Sequence, residues 1–236
     1  MISETEFARR YTSTWRMLTP MTEDFVRHVN RSWCAERFAP LRSRKVRPVR
    51  HAIINEVAFR AFALGAKAKA AERPDPISDS RLLSTAISEL SDDQFWASKV
   101  SPLDQHERSQ ANELRQRLTI FFDDKDSGDL VLFPEFRGCG LLDACVGDVI
   151  VGNTLYEVKA GGRFFRSIDL RQLLIYSMLN WRGGNYSIKS LGMFNPRIGI
   201  YYEEELGEIC QEVSGRSSIE LFTEISQIVS GSDFSR

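Results

Sequence analysis

Histidine is scarce in this 236-residue chain: His28, His51 and His106 are the only three. They are scattered, and neither a serine-histidine-aspartate pattern nor a zinc-ligand spacing can be built from them, so imidazole-based hydrolysis and a zinc site are excluded. Cysteine is almost as sparse. Cys34, Cys139, Cys145 and Cys210 are expected to be reduced, buried thiols of a cytosolic protein. No apolar run approaches the length of a membrane span, and Met1-Ile2-Ser3-Glu4-Thr5-Glu6 is not a signal peptide. A cytoplasmic location with no membrane partner is therefore expected. Charge of one sign is also missing: 31 Lys+Arg against 32 Asp+Glu leave a net charge of -1. That balance argues against indiscriminate nucleic-acid affinity and moves attention to local clusters.

What the chain does hold is a hydrophobic fraction of 42%, enough for one sizeable domain with a real core. Its most informative stretch is Gly147-Asp148-Val149-Ile150-Val151-Gly152-Asn153-Thr154-Leu155-Tyr156-Glu157-Val158-Lys159. Gly152-Asn153 is a two-residue turn signal between β-branched and aromatic runs, and such a loop fixes strand register. Val151 then pairs with Thr154, Ile150 with Leu155, Val149 with Tyr156, and Asp148 with Glu157. Alternation puts Asp148, Glu157 and Lys159 on one face, with Lys159 diagonal to Asp148. Acids at the end of so apolar a strand pair need compensation, and a divalent metal on oxygen ligands supplies it.

Gly161-Gly162 breaks the second strand. The run from Ser167 to Leu179 has the apolar spacing of an amphipathic helix, with Ser167 or Asp169 as its cap and Gln172 and Tyr176 sharing a face. Before the hairpin, Leu130 to Phe133 reads as a strand ended by Pro134. After the helix, Tyr186 to Phe194 and Arg197 to Tyr202 read as strands, followed by helices over Glu203 to Val213 and Ser217 to Val229.

An acid, then Glu-x-Lys on the adjacent strand, then Gln-x-x-x-Tyr on the next helix resembles the PD-(D/E)XK nuclease superfamily, and specifically its RecB-like exonuclease branch. The resemblance is close over Phe133 to Asn180 and holds in outline elsewhere. It implies an α/β restriction-endonuclease-like core, αβββαβ, with a mixed central sheet flanked by helices, preceded by N-terminal helices and carrying a helical insertion. It implies Asp148 and Glu157 as metal ligands for Mg²⁺ or Mn²⁺, and Lys159 as the group that orients or activates the attacking water. Gln172 and Tyr176 would support the site or contact DNA. Asp143, in Gly140-Leu141-Leu142-Asp143, also fits the family's glycine-then-acid pattern, and its longer separation from Glu157 is nearer that usual in the branch. The hairpin register favours Asp148, and both stay open here. The family's first core helix often adds a glutamate, for which Glu56, beside the apolar stripe Ile53, Val57, Ala61 and Leu64, is the candidate. Some relatives in the branch hold an iron-sulfur cluster on four cysteines, three of them after the catalytic helix. Here only Cys210 follows the hairpin, so no cluster is expected.

The expected organisation is an N-terminal helical segment and basic loop over 1–50, then a nuclease domain over 51–236 with a helical insertion at about 75–122. Pro74-Asp75-Pro76 marks the insertion's start, and Ser80 to Leu90 and Leu103 to Phe122 look helical. Arg37, Arg42, Arg44, Lys45, Arg47 and Arg50 form a loop without an acid, placed either to follow a phosphate backbone or to serve as a solvated or protein-docking surface. Arg163 and Arg166 flank the expected metal centre, where a scissile phosphate needs neutralising. His51, one turn before Glu56, is a weaker phosphate candidate. Asp123 to Asp129 lacks the glutamate and spacing of a calcium loop and reads as a turn.

The function expected is a metal-dependent nuclease acting on DNA, within a phage-defence or DNA-repair system, with a protein partner supplying targeting or ATPase activity. The alternative is a catalytically inactive nuclease-fold subunit that binds DNA or serves as a scaffold.

Overall fold

The computed structural model describes residues 1–41, 45–71, 78–92, 103–125 and 129–231. Three short helices, α1 (Glu4–Arg10), α2 (Thr12–Leu18) and α3 (Thr22–His28), lead through a π turn at Val29–Trp33 to the edge strand β1 (Ala35–Glu36). The long helix α4 (His51–Ala70) follows a 3-10 turn whose first residue, Pro48, has no N–H to leave unpaired there. α5 (Asp79–Asp92) and α6 (Gln105–Asp123) complete the first half. Strands β2 (Leu130–Leu132), β3 (Glu135–Phe136), β4 (Cys145–Val146), β5 (Val149–Val151) and β6 (Thr154–Val158) follow. The chain then runs through α7 (Ser167–Gly183), β7 (Ser190–Asn195), β8 (Ile200–Glu205), α8 (Leu206–Ser214) and α9 (Ser218–Ser230).

The result is α/β: a six-stranded mixed sheet in the order β1-β8-β7-β6-β5-β2, with helices on both faces. Neighbours are antiparallel except β6 and β7, which run parallel and are connected through α7. β3 and β4 pair separately as a small ribbon. The β5–β6 hairpin has the expected register, Val151 to Thr154, Ile150 to Leu155 and Val149 to Tyr156. Gly152 takes the left-handed φ of 55° that such a turn demands.

Alternation divides the sheet's side chains between two apolar layers. Ile150, Leu155, Leu191, Met193 and Tyr202 belong to the layer that holds Leu174 and Met178 of α7, with Trp15, Phe25, Ile209 and Phe222 from the terminal helices. Val149, Val151, Tyr156 and Phe194 meet Phe62 of α4 and Leu118, Phe121 and Phe122 of α6. A further cluster, including Ile54, Val57, Leu83, Leu90 and Leu114, binds α4, α5 and α6 to one another.

Several boundaries depart from expectation, each for a local reason. The strand expected over Tyr186 to Phe194 begins at Ser190, because Asn180 Nδ2 donates to the Tyr186 carbonyl at 2.8 Å and the Tyr186 N–H to Asn180 Oδ1 at 3.0 Å, tying Tyr186 to the end of α7. The strand expected from Arg197 begins at Ile200, because Asn195 Oδ1 accepts from the N–H groups of Arg197 and Ile198 and folds that stretch into a turn. Glu203 to Glu205 continue that strand instead of opening a helix. Helix α7 starts at Ser167, so Ser167 is not its cap; Asp169 serves from inside the first turn, accepting the Arg166 N–H at 2.9 Å. α6 does more than form an insertion, since Phe121 and Phe122 at its end reach the sheet. Pro74-Asp75-Pro76 lies outside the described residues, as do Asp126 to Gly128 of the acidic turn. No described helix is long and apolar enough to cross a membrane.

Candidate functional site

The hairpin carries its acids and base to one end of the sheet, Asp148 immediately before β5 and Lys159 immediately after β6. Asp148 Oδ2 accepts the Val158 N–H at 2.7 Å, which closes the open end of the hairpin. Glu157 is 3% exposed and forms an ion pair with Lys159, while its other oxygen, Oε2, is buried with no hydrogen-bond partner. Lys159 Nζ also donates to Gln172 Oε1 at 3.2 Å, and Gln172 Nε2 donates to Thr5 Oγ1 at 3.0 Å. A chain of contacts thus runs from the hairpin through α7 to α1.

The electrostatics follow from placing two carboxylates around one ammonium out of water. Burial pushes Asp148 above the ordinary carboxylate range against the pull of Lys159 and the Val158 N–H, and the charges of Glu56 and Glu4 add to the push. Glu157 is pushed up to about 8, first by burial and then by the Asp148 charge. Burial alone would lower Lys159, but Glu157 and Asp148 outweigh it and hold the ammonium firmly protonated. One cation does not satisfy both acids, so at neutral pH the pair retains a proton or welcomes a second cation.

A cavity of about 320 Å³ opens beside this group. Asp148, Lys159 and Arg163 line it from the sheet end, Asn55, Glu56 and Phe59 from α4, and Phe133 and Pro196 from flanking segments. Glu157 is not among the lining residues. Asp143 is not either: its N–H bonds to the Ile2 carbonyl at 3.0 Å, in the segment that holds the N-terminus. Of the two candidate first acids, it is Asp148 that reaches the cavity.

Among the described residues no three His, Cys, Asp or Glu side chains stand close enough together to hold a metal ion. The expected set of Glu56, Asp148 and Glu157 is therefore not preassembled, and their partners show why. Glu56 Oε1 accepts from Arg60 Nε at 2.9 Å, and Lys159 occupies one oxygen of Glu157. The donor chemistry nonetheless suits Mg²⁺ or Mn²⁺, hard cations that take carboxylate oxygens. Glu157 Oε2 is a buried oxygen without a hydrogen-bond partner, and a bound cation is one group that would satisfy it.

Other expected residues fall differently. Arg163 lines the cavity but forks onto Asp169, Nη1 to Oδ2 at 2.7 Å and Nη2 to Oδ1 at 2.9 Å, instead of standing free for a phosphate. Arg166 is exposed and outside the cavity lining. Gln172 and Tyr176 are buried: the Gln172 amide is engaged by Lys159 and Thr5, and the Tyr176 ring stacks on Phe136 at 5.3 Å. In the basic loop, Arg37 pairs with Asp124 and Arg50 with Glu107, so these two fasten the loop to the fold, while Arg42 and Arg44 lie outside the described residues. Burial, and then the Arg197 charge, hold His51 below its ordinary pKa and so favour a neutral ring.

Sequence reasoning missed Thr5 and Arg197, and read Asp169 as a helix cap without its ion pair to Arg163. Arg197, 2% exposed, donates to Ala160 O at 2.6 Å, Gln110 Oε1 at 2.6 Å and Asn55 Oδ1 at 2.7 Å, bracing the end of the hairpin against α4 and α6. Burial and then Arg117 lower it to about 10. Its only signal in the chain was an arginine opening an otherwise apolar run; Thr5 and Asp169 gave none beyond being ordinary helix-start residues. The chain matches no protein-family model, no curated protein and no solved structure.

Proposed function

We propose that this chain is a metal-dependent nuclease of the PD-(D/E)XK superfamily, with a restriction-endonuclease-like core of the RecB-like branch, and that it hydrolyses phosphodiester bonds in DNA. The observation that carries the reading is the convergence of Asp148, Glu157 and Lys159 at the end of a buried hairpin, beside a cavity that Glu56 also lines. Asp148, Glu157 and Glu56 are the residues that would hold Mg²⁺ or Mn²⁺, which when bound supplies a Lewis acid and offsets phosphate charge. Lys159, kept protonated by its two acids, donates hydrogen bonds and orients a water or a phosphate oxygen. Gln172 fixes the Lys159 ammonium, and Thr5 fixes the Gln172 amide. The Arg163–Asp169 fork steadies the loop between Lys159 and α7 at the edge of the cavity.

The test is cleavage of linear and circular, single- and double-stranded DNA with Mg²⁺, Mn²⁺ or EDTA. Metal-dependent cutting is expected, reduced by about 10²-fold or more in Lys159→Ala and in Glu157→Ala, the scale on which a positioned catalytic group contributes. An unchanged rate in either variant sinks the assignment. The inactive, scaffolding reading draws on the bond from Arg60 that holds Glu56. Absence of saturable Mn²⁺ binding, together with absence of cutting on every substrate, would favour it over a nuclease that waits for a partner. A partner supplying targeting or ATPase activity, in a phage-defence or DNA-repair setting, belongs to the same proposal and is tested by co-purification with neighbouring gene products.

A further inference from the structure

Phe133 is the one non-glycine residue among the described residues with a positive φ, 57°. A β-carbon is strained in that region, and Pro134, immediately following, restricts the backbone further. Strain of this kind persists only where surrounding structure enforces it, and here the Phe133 N–H is bonded to the carbonyl of Asp148 at 3.0 Å. The aromatic residue is thereby locked in place relative to the first acid of the site.

Core burial does not explain the ring. Phe133 is 36% exposed and lines the same cavity as Asp148, Lys159 and Arg163. Its ring contact is Phe59, 5.3 Å away at 79°, an edge-to-face arrangement that leaves part of the ring uncovered. Phe59 lines the cavity as well and packs back onto Phe62, so the pair is an aromatic corner rooted in the core and open at the cavity. An ammonium and an aromatic surface thus share one cavity, and each has a natural counterpart in a nucleic acid: phosphate for Lys159, a base face for Phe133.

We propose that Phe133 stacks on the base next to the scissile phosphate, and that the site accepts single-stranded DNA in preference to duplex. This rests on the nuclease reading for the identity of the polymer. In a duplex both faces of a base are covered by its neighbours, so the ring finds a partner only where a strand is unpaired or frayed. Every base has a π face, so the contact is tolerant of sequence.

The experiment is fluorescence anisotropy of a labelled single-stranded oligonucleotide and of its duplex in EDTA, with wild type, Phe133→Gly and Phe133→Trp, alongside thermal melting of each protein. Wild type is expected to bind the single strand more tightly than the duplex. Phe133→Gly is expected to lose about 5- to 150-fold of single-strand affinity, the range one base-aromatic stack is worth, with duplex affinity unchanged. Phe133→Trp should retain the preference. Because glycine relieves the strained φ, Phe133→Gly should melt no lower than wild type. A wild type that prefers duplex, a Phe133→Gly variant that binds the single strand as wild type does, or one that loses both substrates equally overturns the proposal. So does a marked fall in melting temperature, which would make the ring a packing element. Binding in EDTA needs no catalysis: Phe133-dependent binding without metal-dependent cleavage sinks the nuclease reading alone, and cleavage with Phe133-indifferent binding sinks this proposal alone.

Discussion

Glu157 shows how much a single side chain can be asked to bear. One of its oxygens is paired with Lys159 and the other is buried with no partner. Its folded value of about 8 lies above the ordinary 4.5, so the folded protein keeps a proton that the unfolded chain has already released. Stability of the metal-free protein therefore declines as the pH rises from about 4.5 to 8. Glu157→Gln, which cannot ionise, should melt above wild type at pH 8.5 in EDTA, by about 2–4 °C for each kcal/mol relieved, and should lose that advantage near pH 4.5. An advantage of equal size at both pH values would show that charge is not the cause. Asp148 and Lys159 were legible in the chain because a two-residue turn fixes register. The fate of Arg163 was not, because its partner Asp169 lies across a loop whose path no periodicity describes.

At the scale of elements, the start of α6 fastens the layer that carries Glu56. Asp104 accepts the N–H groups of His106 and Glu107 at 2.8 and 2.9 Å, and Glu107 returns a bond to the Asp104 N–H at 3.1 Å, a capping box. Glu107 also receives Arg50, at the start of α4, through contacts of 2.8 and 3.1 Å. The Arg50 hydrogen bond holds the Glu107 carboxyl below its ordinary 4.5 in spite of burial. A depressed acid contributes stability that is fully present above 4.5 and is lost as the pH falls through the folded value. Glu107→Gln should cost about 1.5–3 kcal/mol at pH 7, a penalty that closes as the pH is stepped below 4.5. Urea unfolding across that range checks it, and a penalty independent of pH would point to packing alone. Both helices were readable from spacing. The Arg50 to Glu107 pair was not, since the sequence presented Arg50 only as one member of a basic run.

Across the whole molecule, the candidate site lies where the two layers meet at the end of the sheet, with Gln172 supplied from the α7 side and Glu56 from α4. The α4–α6 layer is held to the sheet largely by aromatic packing. The Phe121 ring lies on Phe194 at 3.8 Å and 11°, and also meets Phe122, Tyr156 and Tyr201. Phe121→Ala should lower the unfolding free energy by about 3–5 kcal/mol, read from the urea midpoint. A loss below about 1 kcal/mol, less than truncation of a buried phenylalanine is worth, would show that the layer does not depend on this contact.

Rules that act along the chain suffice for the hairpin register, for the alternation that groups Asp148, Glu157 and Lys159, and for the helices after Arg50 and Arg166, because turn chemistry and periodicity connect residues only a few positions apart. Packing of distant segments settles the rest. It brings Asp148 and not Asp143 to the cavity, ties Arg37 and Arg50 inward, and sets Thr5 against Gln172 across 167 positions. Such pairings arise from how two helical layers close on one sheet, and no local pattern in the chain encodes that closure.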